Sequence, residues 1–387
     1  MWMVAFSNVL SAHGLERIIP YAFSCSAIAA FISPLIAGSL ADQHFSAERL
    51  LRWFACAAAV SLALTFVAIG KGWGAAWVLI FLQIQALCSS PTWGLASTIV
   101  LTNLNDPARE FGPVRVWATI GWMLAGWVTS YALQADASVR SGLAASVVWL
   151  GVAAITFYLP KTAPPVKTAG RTWSAVLGLE ALQLLRHREH GPVLIAAALV
   201  SVPLAAFYPF AALHLRDLGE HRVAAVMSLG QVSEIITMYA ISPLLARVRL
   251  KWLLLAGIAF GVVRYALFTA NSLPTMFAGI ALHGVCYTLF FIPAQIYLDR
   301  RVERHLHARA QALLTLMVAG LGTLAGSLGC GWLRQACTDA AGTSWGVFWA
   351  LLCGAMVVVF GYFALAYRAE EAGAETASAP ALERVEP

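Results

Sequence analysis

Arg115 and Glu234 are the two residues whose positions point most directly to chemistry. Each lies within an otherwise apolar stretch that is long enough to cross a membrane. A charged side chain at the centre of a bilayer costs at least ~2.5–3.5 kcal/mol, so such a residue usually marks a substrate or proton path. The two charges have opposite sign and fall in opposite halves of the chain. They predict a transport cavity near the middle of the membrane.

The composition is that of an integral membrane protein. Of the 387 residues, 60% are hydrophobic and only 11% are charged, whereas soluble domains carry about 25% charged residues. Apolar runs of about 20 residues match helices that cross a ~30 Å hydrocarbon core, and the ~10-residue alternation of a membrane barrel is missing. An all-α polytopic membrane protein is therefore expected, and the net charge of +6 does not predict nucleic-acid binding.

The apolar runs predict eleven complete spans and part of another. Residues 1–8 rise only about 12 Å as a helix, so we expect them to be the end of a first helix that starts upstream. The predicted spans are 16–41, 49–70, 74–102, 115–134, 141–160, 191–215, 223–246, 251–270, 274–298, 308–334 and 345–367.

The longest polar stretch divides these spans into two bundles. We predict an N-terminal bundle over 1–160, a cytoplasmic linker over 161–190, a C-terminal bundle over 191–368 and a disordered cytoplasmic tail over 369–387. Most of the 25 lysines and arginines fall in the segments that this topology places inside, as the positive-inside rule requires. Two six-helix halves are typical of the major facilitator fold, here as a multi-pass membrane protein with a cytoplasmic C-terminus.

The fifth helix, counting the first partial one, carries a polar face. Arg115, Thr119 and Trp122 are spaced i, i+4 and i+7, so they share one side. They offer a forked donor, a hydroxyl and a flat aromatic ring, which suit a substrate that has a sugar and a planar ring. Alternatively, Arg115 sits at the cytoplasmic helix end and extends its charge to water.

Ionisable and polar residues also occur in the second half. Gln231 and Glu234 share a face of the eighth helix, and a carboxyl near mid-span is a candidate proton carrier. The alternative for Glu234 is a structural ion pair with Arg264, which we expect to have a structural or coupling role. On the tenth helix, His283 and Tyr287 are spaced i, i+4. His283 could relay protons or could be a satisfied buried imidazole.

Several longer motifs resemble known transporters. The loop segment Gly-Ser-Leu-Ala-Asp-Gln over 38–43 resembles the signature loop of the major facilitator superfamily, in which the acid, here Asp42, caps a helix or pairs across the gate. The segments Arg-Val-Trp-Ala-Thr-Ile-Gly-Trp over 115–122 and Gln-Val-Ser-Glu over 231–234 resemble the nucleoside:proton symporter family. The likeness extends from about residue 2 to residue 368.

The resemblance implies a function and a set of site residues. It implies proton-coupled import of nucleosides by alternating access, with Arg115, Thr119, Trp122, Gln231 and Tyr287 at the substrate. It further implies Glu234, with His283, as proton-coupling residues. The chain departs from the family pattern where amides of the seventh helix become Ala205 and Tyr208, and where the acid of the tenth helix becomes Thr288.

Two alternatives to nucleoside import remain open on the sequence. One is a sugar or aromatic-acid proton symporter, and the other is a non-transporting or degenerate truncated permease. An enzyme is not expected, because the sequence shows no paired carboxylates and no His/Asp cluster at the membrane–water interface. With no nucleotide-binding loop or metal-ligand spacing, no cofactor or metal is predicted beyond the proton as coupling ion. The expected partners are a small-molecule substrate and the lipid bilayer, with the protein as a monomer.

Overall fold

The computed structural model describes residues 2–41, 45–162, 179–303 and 306–367. These ranges are almost entirely helical, and we number the helices α1 to α12 along the chain. The uninterrupted helices are α1 (Trp2–Ala12), α2 (Ile19–Ala41), α3 (Ala47–Lys71), α4 (Ala75–Asn103), α6 (Arg140–Ile155), α9 (Leu250–Thr269), α10 (Leu273–Arg301) and α12 (Trp345–Ala366). A two-residue antiparallel hairpin, Thr338–Asp339 with Gly342–Thr343, precedes α12.

Four helices contain an irregular segment. Helix α5 runs over Pro107–Trp127 and ends in a π turn, Val128–Ala132, while α8 consists of Val223–Met227 and Leu229–Arg247. Helices α7 and α11 each contain a π turn in their interior. Their pieces are His190–Leu204, Phe207–Ala211 and Ala212–Asp217 in α7, and His307–Thr315, Leu316–Gly322 and Thr323–Ala336 in α11. Wide turns of this kind frequently lie at functional sites.

Many of these helices are long and apolar enough to cross a bilayer. By length and composition, eight such helices occur in the described ranges: Ala47–Lys71, Ala75–Asn103, His190–Asp217, Val223–Ile241, Leu250–Thr269, Leu273–Arg301, Arg309–Ala336 and Trp345–Ala366. Trp2–Ala12 and Arg140–Ile155 are apolar but shorter. The predicted helical membrane protein is confirmed, and the number of crossings stays a prediction.

The helix boundaries differ from the predicted spans at several places, and α6 ends at Ile155 rather than at residue 160. Helix α5 begins at Pro107 rather than at residue 115, so Arg115 lies in its third turn and not at its end. Helix α1 continues beyond residue 8 to Ala12. Part of the predicted linker, Leu179–Arg186, forms a 3₁₀ helix, because its apolar residues Ala181 and Leu184 are buried in the core.

Other predicted features fall where the structure gives no description. Asp42 lies outside the described residues, as do most of the linker and the tail beyond residue 367. The backbone of Arg115 belongs to α5, but its side chain lies outside what the structure describes. Their roles therefore stay predictions.

Glycines set the distance between helices that form the second half. A Cβ on Gly284 of α10 would collide with the backbone N–H of Glu234 and the carbonyl of Gly230, both on α8. A Cβ on Gly326 of α11 would collide with the carbonyl of Val202 on α7. Small residues permit such close approach of membrane helices, and the contact at Gly284 fixes the position of Glu234.

We predict that Gly284→Val separates α8 from α10 and destabilises the protein. Overpacking of this kind costs about 1–3 kcal/mol, so the apparent melting temperature in detergent should fall by several degrees. Gly354→Val on α12 is the control, because a Cβ there meets nothing within 4 Å. Equal melting temperatures for the two variants would contradict the packing argument.

Candidate functional site

A cavity of about 500 Å³ lies between the two halves. Helices of both halves line it, including α5 from the first half and α7, α8 and α10 from the second. Six of the residues that the sequence singled out line it together: Thr119, Trp122, Gln231, Glu234, His283 and Tyr287. The volume falls within the range of small-molecule sites, ≈ 300–1,000 Å³.

Aromatic rings form much of the cavity wall. The ring of Trp122 on α5 meets the ring of Tyr208 on α7 edge to face, with centroids 6.1 Å apart. Trp93 and Phe23 from the first half and Tyr287 from the second also line the space. Tyr208 is placed there by the π turn of α7, which the sequence pattern did not predict. The wall therefore offers flat surfaces on which a planar ring can stack.

Gln231 supplies an unused acceptor to this wall. Its side chain is only 5% exposed, and its Oε1 atom has no hydrogen-bond partner in the structure. A buried acceptor without a partner costs roughly 1–3 kcal/mol. A ligand that brings a hydroxyl or an N–H to this oxygen would recover that cost.

Arg264 is the central charge of the second half, and it is fully buried. Its Nη1 donates to His283 Nδ1 at 2.6 Å and its Nη2 donates to the Tyr265 hydroxyl at 2.6 Å. That hydroxyl donates in turn to the carbonyl of Pro203 on α7 at 2.6 Å. The guanidinium also lies 5.0 Å from the centre of the Phe207 ring. One cation therefore joins α7, α9 and α10, although its Nε atom has no partner in the structure. The structural or coupling role of Arg264 stays a prediction.

The hydrogen bond from Arg264 defines the protonation state of His283. An arginine has only donors, so the Nδ1 atom that receives its N–H must carry a free lone pair. The imidazole is thus neutral, with any ring proton on Nε2. Its ring also stacks on Phe207, with centroids 4.0 Å apart. This geometry matches the satisfied buried imidazole that the sequence left open as the alternative to a proton relay.

The loops that the positive-inside pattern places outside meet across the two halves, and we name this region the outer end. Asp136 accepts from the Ala224 N–H at 2.6 Å, and Ser130 accepts from the Ala225 N–H at 3.0 Å. A third bond runs from Trp127 Nε1 to the hydroxyl of Ser228 at 3.0 Å.

An ion pair adds to the closure of the outer end. Arg334 Nη2 lies 2.6 Å from Glu16 Oε2. Burial opposes ionisation of Glu16, but hydrogen bonds from Ser11 and Arg334, together with the arginine charge, hold the pKa of Glu16 below its usual value. The contacts between the halves named here, three hydrogen bonds and this ion pair, all lie at the outer end, while the cavity wall extends the other way to Met238 and Gln295. These contacts close the outer end.

Comparison with known proteins identifies the family. The profile of the family described as nucleoside H⁺ symporter matches residues 1–372. The chain belongs to the nucleoside H⁺ symporter family. It is 34% identical over 340 residues to the putative nucleoside transporter YegT of Escherichia coli (strain K12), which covers 84% of this chain and 78% of that protein.

Two further comparisons agree with this assignment. The nucleoside permease NupG of Escherichia coli (strain K12) is 26% identical over 366 residues, covering 89% of this chain and 86% of NupG. A crystal structure of a NupG mutant superposes with a TM-score of 0.87 at 22% identity, covering 95% of each chain. The predicted major facilitator fold is confirmed by the structural match, and the predicted class of nucleoside:proton symporter is confirmed by the family.

The symporter is expected to depend on His283 as an acceptor for Arg264. We predict that His283→Phe leaves the buried guanidinium without this partner and costs about 1–3 kcal/mol or more, which lowers the yield and melting temperature of the purified protein. His283→Asn keeps an acceptor and should remain folded. Proton-driven accumulation that is lost in a folded His283→Asn protein would contradict the acceptor role and restore the proton relay.

Proposed function

We propose that this chain imports nucleosides together with protons across a bacterial inner membrane, with its C-terminus in the cytoplasm. The observation that carries this proposal is the set of side chains that line the cavity between the halves. It combines the hydroxyl of Thr119, the unused acceptor of Gln231, the rings of Trp122 and Tyr287 and the carboxyl of Glu234. We further propose that the protein acts as a monomer and carries out no chemical conversion of its substrate.

A nucleoside matches the chemistry of the wall. Its base is planar and can stack between Trp122 and the rings of the second half. Its ribose and base edge present both donors and acceptors, which pair with Thr119 and with the Oε1 atom of Gln231. We place Arg115 at the substrate as well, on the family pattern and on its position in the third turn of α5.

Glu234 is the proposed proton carrier. It lines the substrate cavity, and its backbone is held against α10 at Gly284. A proton taken up by this carboxyl and a nucleoside bound beside it would therefore occupy one compartment. His283 is proposed to position Arg264 rather than to carry the proton, because its Nδ1 lone pair is used by the guanidinium.

A second candidate substrate class is favoured by the residues at the family's other polar positions. Ala205 and Tyr208 line the cavity where the family pattern has amides. Thr288, where the pattern has an acid, is fully buried and its hydroxyl has no partner. The site is thus poorer in polar groups than the family pattern, which would suit a sugar or an aromatic acid. Competition of labelled uridine uptake by a panel of nucleosides, sugars and aromatic acids separates the two.

We predict that Glu234→Gln abolishes accumulation of nucleoside against its gradient while leaving exchange of internal for external nucleoside. The amide keeps the shape of the side chain but cannot take up a proton. The measurement is uptake of labelled uridine with and without a protonophore. Glu189→Gln, in a residue that does not line the cavity, is the matched control. Unchanged accumulation by a folded Glu234→Gln protein would rule out this carboxyl as the carrier.

We also predict that Trp122→Ala raises the KM for uptake. Stacking of a base on an aromatic ring contributes about 1–3 kcal/mol, which corresponds to a rise of roughly 5- to 150-fold. Trp117→Ala is a control on the same helix, since Trp117 is 71% exposed and does not line the cavity. If the two variants have the same KM, Trp122 does not hold the base.

A further inference from the structure

Asp136 is an acidic residue at the outer end that the substrate site does not use. It follows the π turn of α5 in the loop before α6, and its side chain is only 5% exposed. Its Oδ1 atom accepts two hydrogen bonds, from the Ser130 hydroxyl at 2.9 Å and from the backbone N–H of Ala224 at 2.6 Å. Ser130 belongs to the same half as Asp136, whereas Ala224 begins α8 of the other half. The carboxyl thus lies in the seam between the halves.

This contact satisfies groups that would otherwise be without partners. The first N–H groups of a helix have no acceptor within the helix. Asp136 and Ser130 accept from the N–H groups of Ala224 and Ala225. When the halves separate at the outer end, water replaces both contacts and the carboxyl is hydrated. The closed outer end therefore differs from an open one in the surroundings of the Asp136 carboxyl.

No cation neutralises this carboxyl in the closed arrangement. None of the ion pairs in the described part of the chain includes Asp136. Arg216, His221 and Arg222 line the same outer vestibule, and the Arg222 guanidinium lies over the Tyr131 ring at 4.9 Å. The acid Glu220 is near enough to disfavour a second negative charge on Asp136.

We propose that Asp136 is a second proton-binding site of the transport cycle, filled when the outer end closes. The proton would reside on Oδ2, since Oδ1 receives both hydrogen bonds. Protonation therefore leaves the contacts to Ser130 and Ala224 intact and removes only the cost of burying a charge. The proposal rests on proton-coupled import by this family, but it does not depend on Glu234 as the carrier.

The direction of the pH effect follows from the closed geometry. Burial, and to a smaller extent Glu220, raise the pKa of Asp136, and the hydrogen bonds from Ala224 and Ser130 offset this only in part. A group with a higher pKa in the closed form binds its proton more tightly there. Acidification through this raised pKa thus favours closure, and the effect levels off below the pKa of the hydrated carboxyl.

The other titratable pair at the outer end has the opposite sign. The pKa of Glu16 is lowered in the closed form, with Arg334 as its ionic partner. Protonating Glu16 on acidification would weaken that ion pair and favour opening. Closure of the outer end at low pH therefore cannot come from Glu16. It requires a group whose pKa is raised in the closed form, as that of Asp136 is.

The test is a distance measurement across the outer end in the purified, substrate-free protein. Spin labels are attached through genetically encoded ketone side chains at Lys71 and His221, which are exposed and lie in different halves. This leaves the seven cysteines in place and removes His221 as a competing titratable group. The distance distribution is recorded between about pH 8 and about pH 5, in the parent and in a Glu234→Gln background.

We expect acidification to raise the ratio of short to long distances several-fold in both backgrounds. Asp136→Asn, which copies the protonated carboxyl, should remain closed at both pH values. Asp136→Ala should shift toward the long distance at both. Ser130→Ala keeps the carboxyl, so it should weaken closure yet retain the pH response.

Two results would overturn the proposal. The first is a parent protein whose distances do not change with pH. This result can be obtained even if no Asp136 variant folds. The second is an Asp136→Asn protein that retains the pH response of the parent. Loss of uphill uptake in Glu234→Gln with a normal pH response at the outer end would support both proton sites separately.

Discussion

The burial of one guanidinium inside the second half is the constraint on which the cavity depends. Arg264 is removed from both water and lipid, and a buried charge is costly unless hydrogen bonds compensate it. Its Nη1 and Nη2 atoms have partners, whereas its Nε atom has none. The guanidinium donates to His283 and to Tyr265, and Tyr265 passes a hydrogen bond on to α7. Three helices are thereby held at fixed positions by a single charged group. The cavity wall contributed by α7 and α10 follows from this arrangement.

The same network explains why α7 can be irregular within a membrane. The Tyr265 hydroxyl donates to the carbonyl of Pro203, just before the π turn that contains Tyr208. Irregular backbone at membrane depth is tolerated where protein or a water-filled cavity satisfies it. The turn brings Tyr208 to the cavity opposite Trp122. One local structure thus places a hydrogen-bonded backbone carbonyl beside a ring of the cavity wall.

A related constraint acts where the halves meet. Backbone N–H groups at the start of α8 need acceptors when water is excluded, and Asp136 and Ser130 supply them. Because the acceptors belong to the first half and the donors to the second, separating the halves at this end would break these bonds. Opening the outer end would therefore break only a few hydrogen bonds and one ion pair.

The sequence predicted the cavity-lining residues better than the contacts that support them. Charge in an apolar stretch drew attention to Glu234, and helical spacing placed Thr119 beside Trp122 and Gln231 beside Glu234. All four line the cavity. Helical periodicity is a local property, which is why it survives folding unchanged.

The supporting contacts could not be found in the same way. Asp136 accepts its hydrogen bond from the backbone N–H of Ala224, and a backbone donor leaves no signal in the sequence. Likewise, the sequence allowed Arg264 to pair with Glu234. The packing of α9 on α10 instead places His283 beside the Nη1 atom of Arg264. The π turn at Tyr208 also has no simple sequence pattern. Contacts between distant segments depend on the assembled fold, whereas faces of single helices do not.

The most direct test of the central account is transport by the purified protein in liposomes, with a proton gradient as the only driving force. Labelled uridine is supplied outside at a concentration equal to that inside. The account predicts net accumulation when the outside is acidic, and collapse of that accumulation on addition of a protonophore. Equilibration without accumulation, unaffected by the gradient, would contradict proton-coupled import.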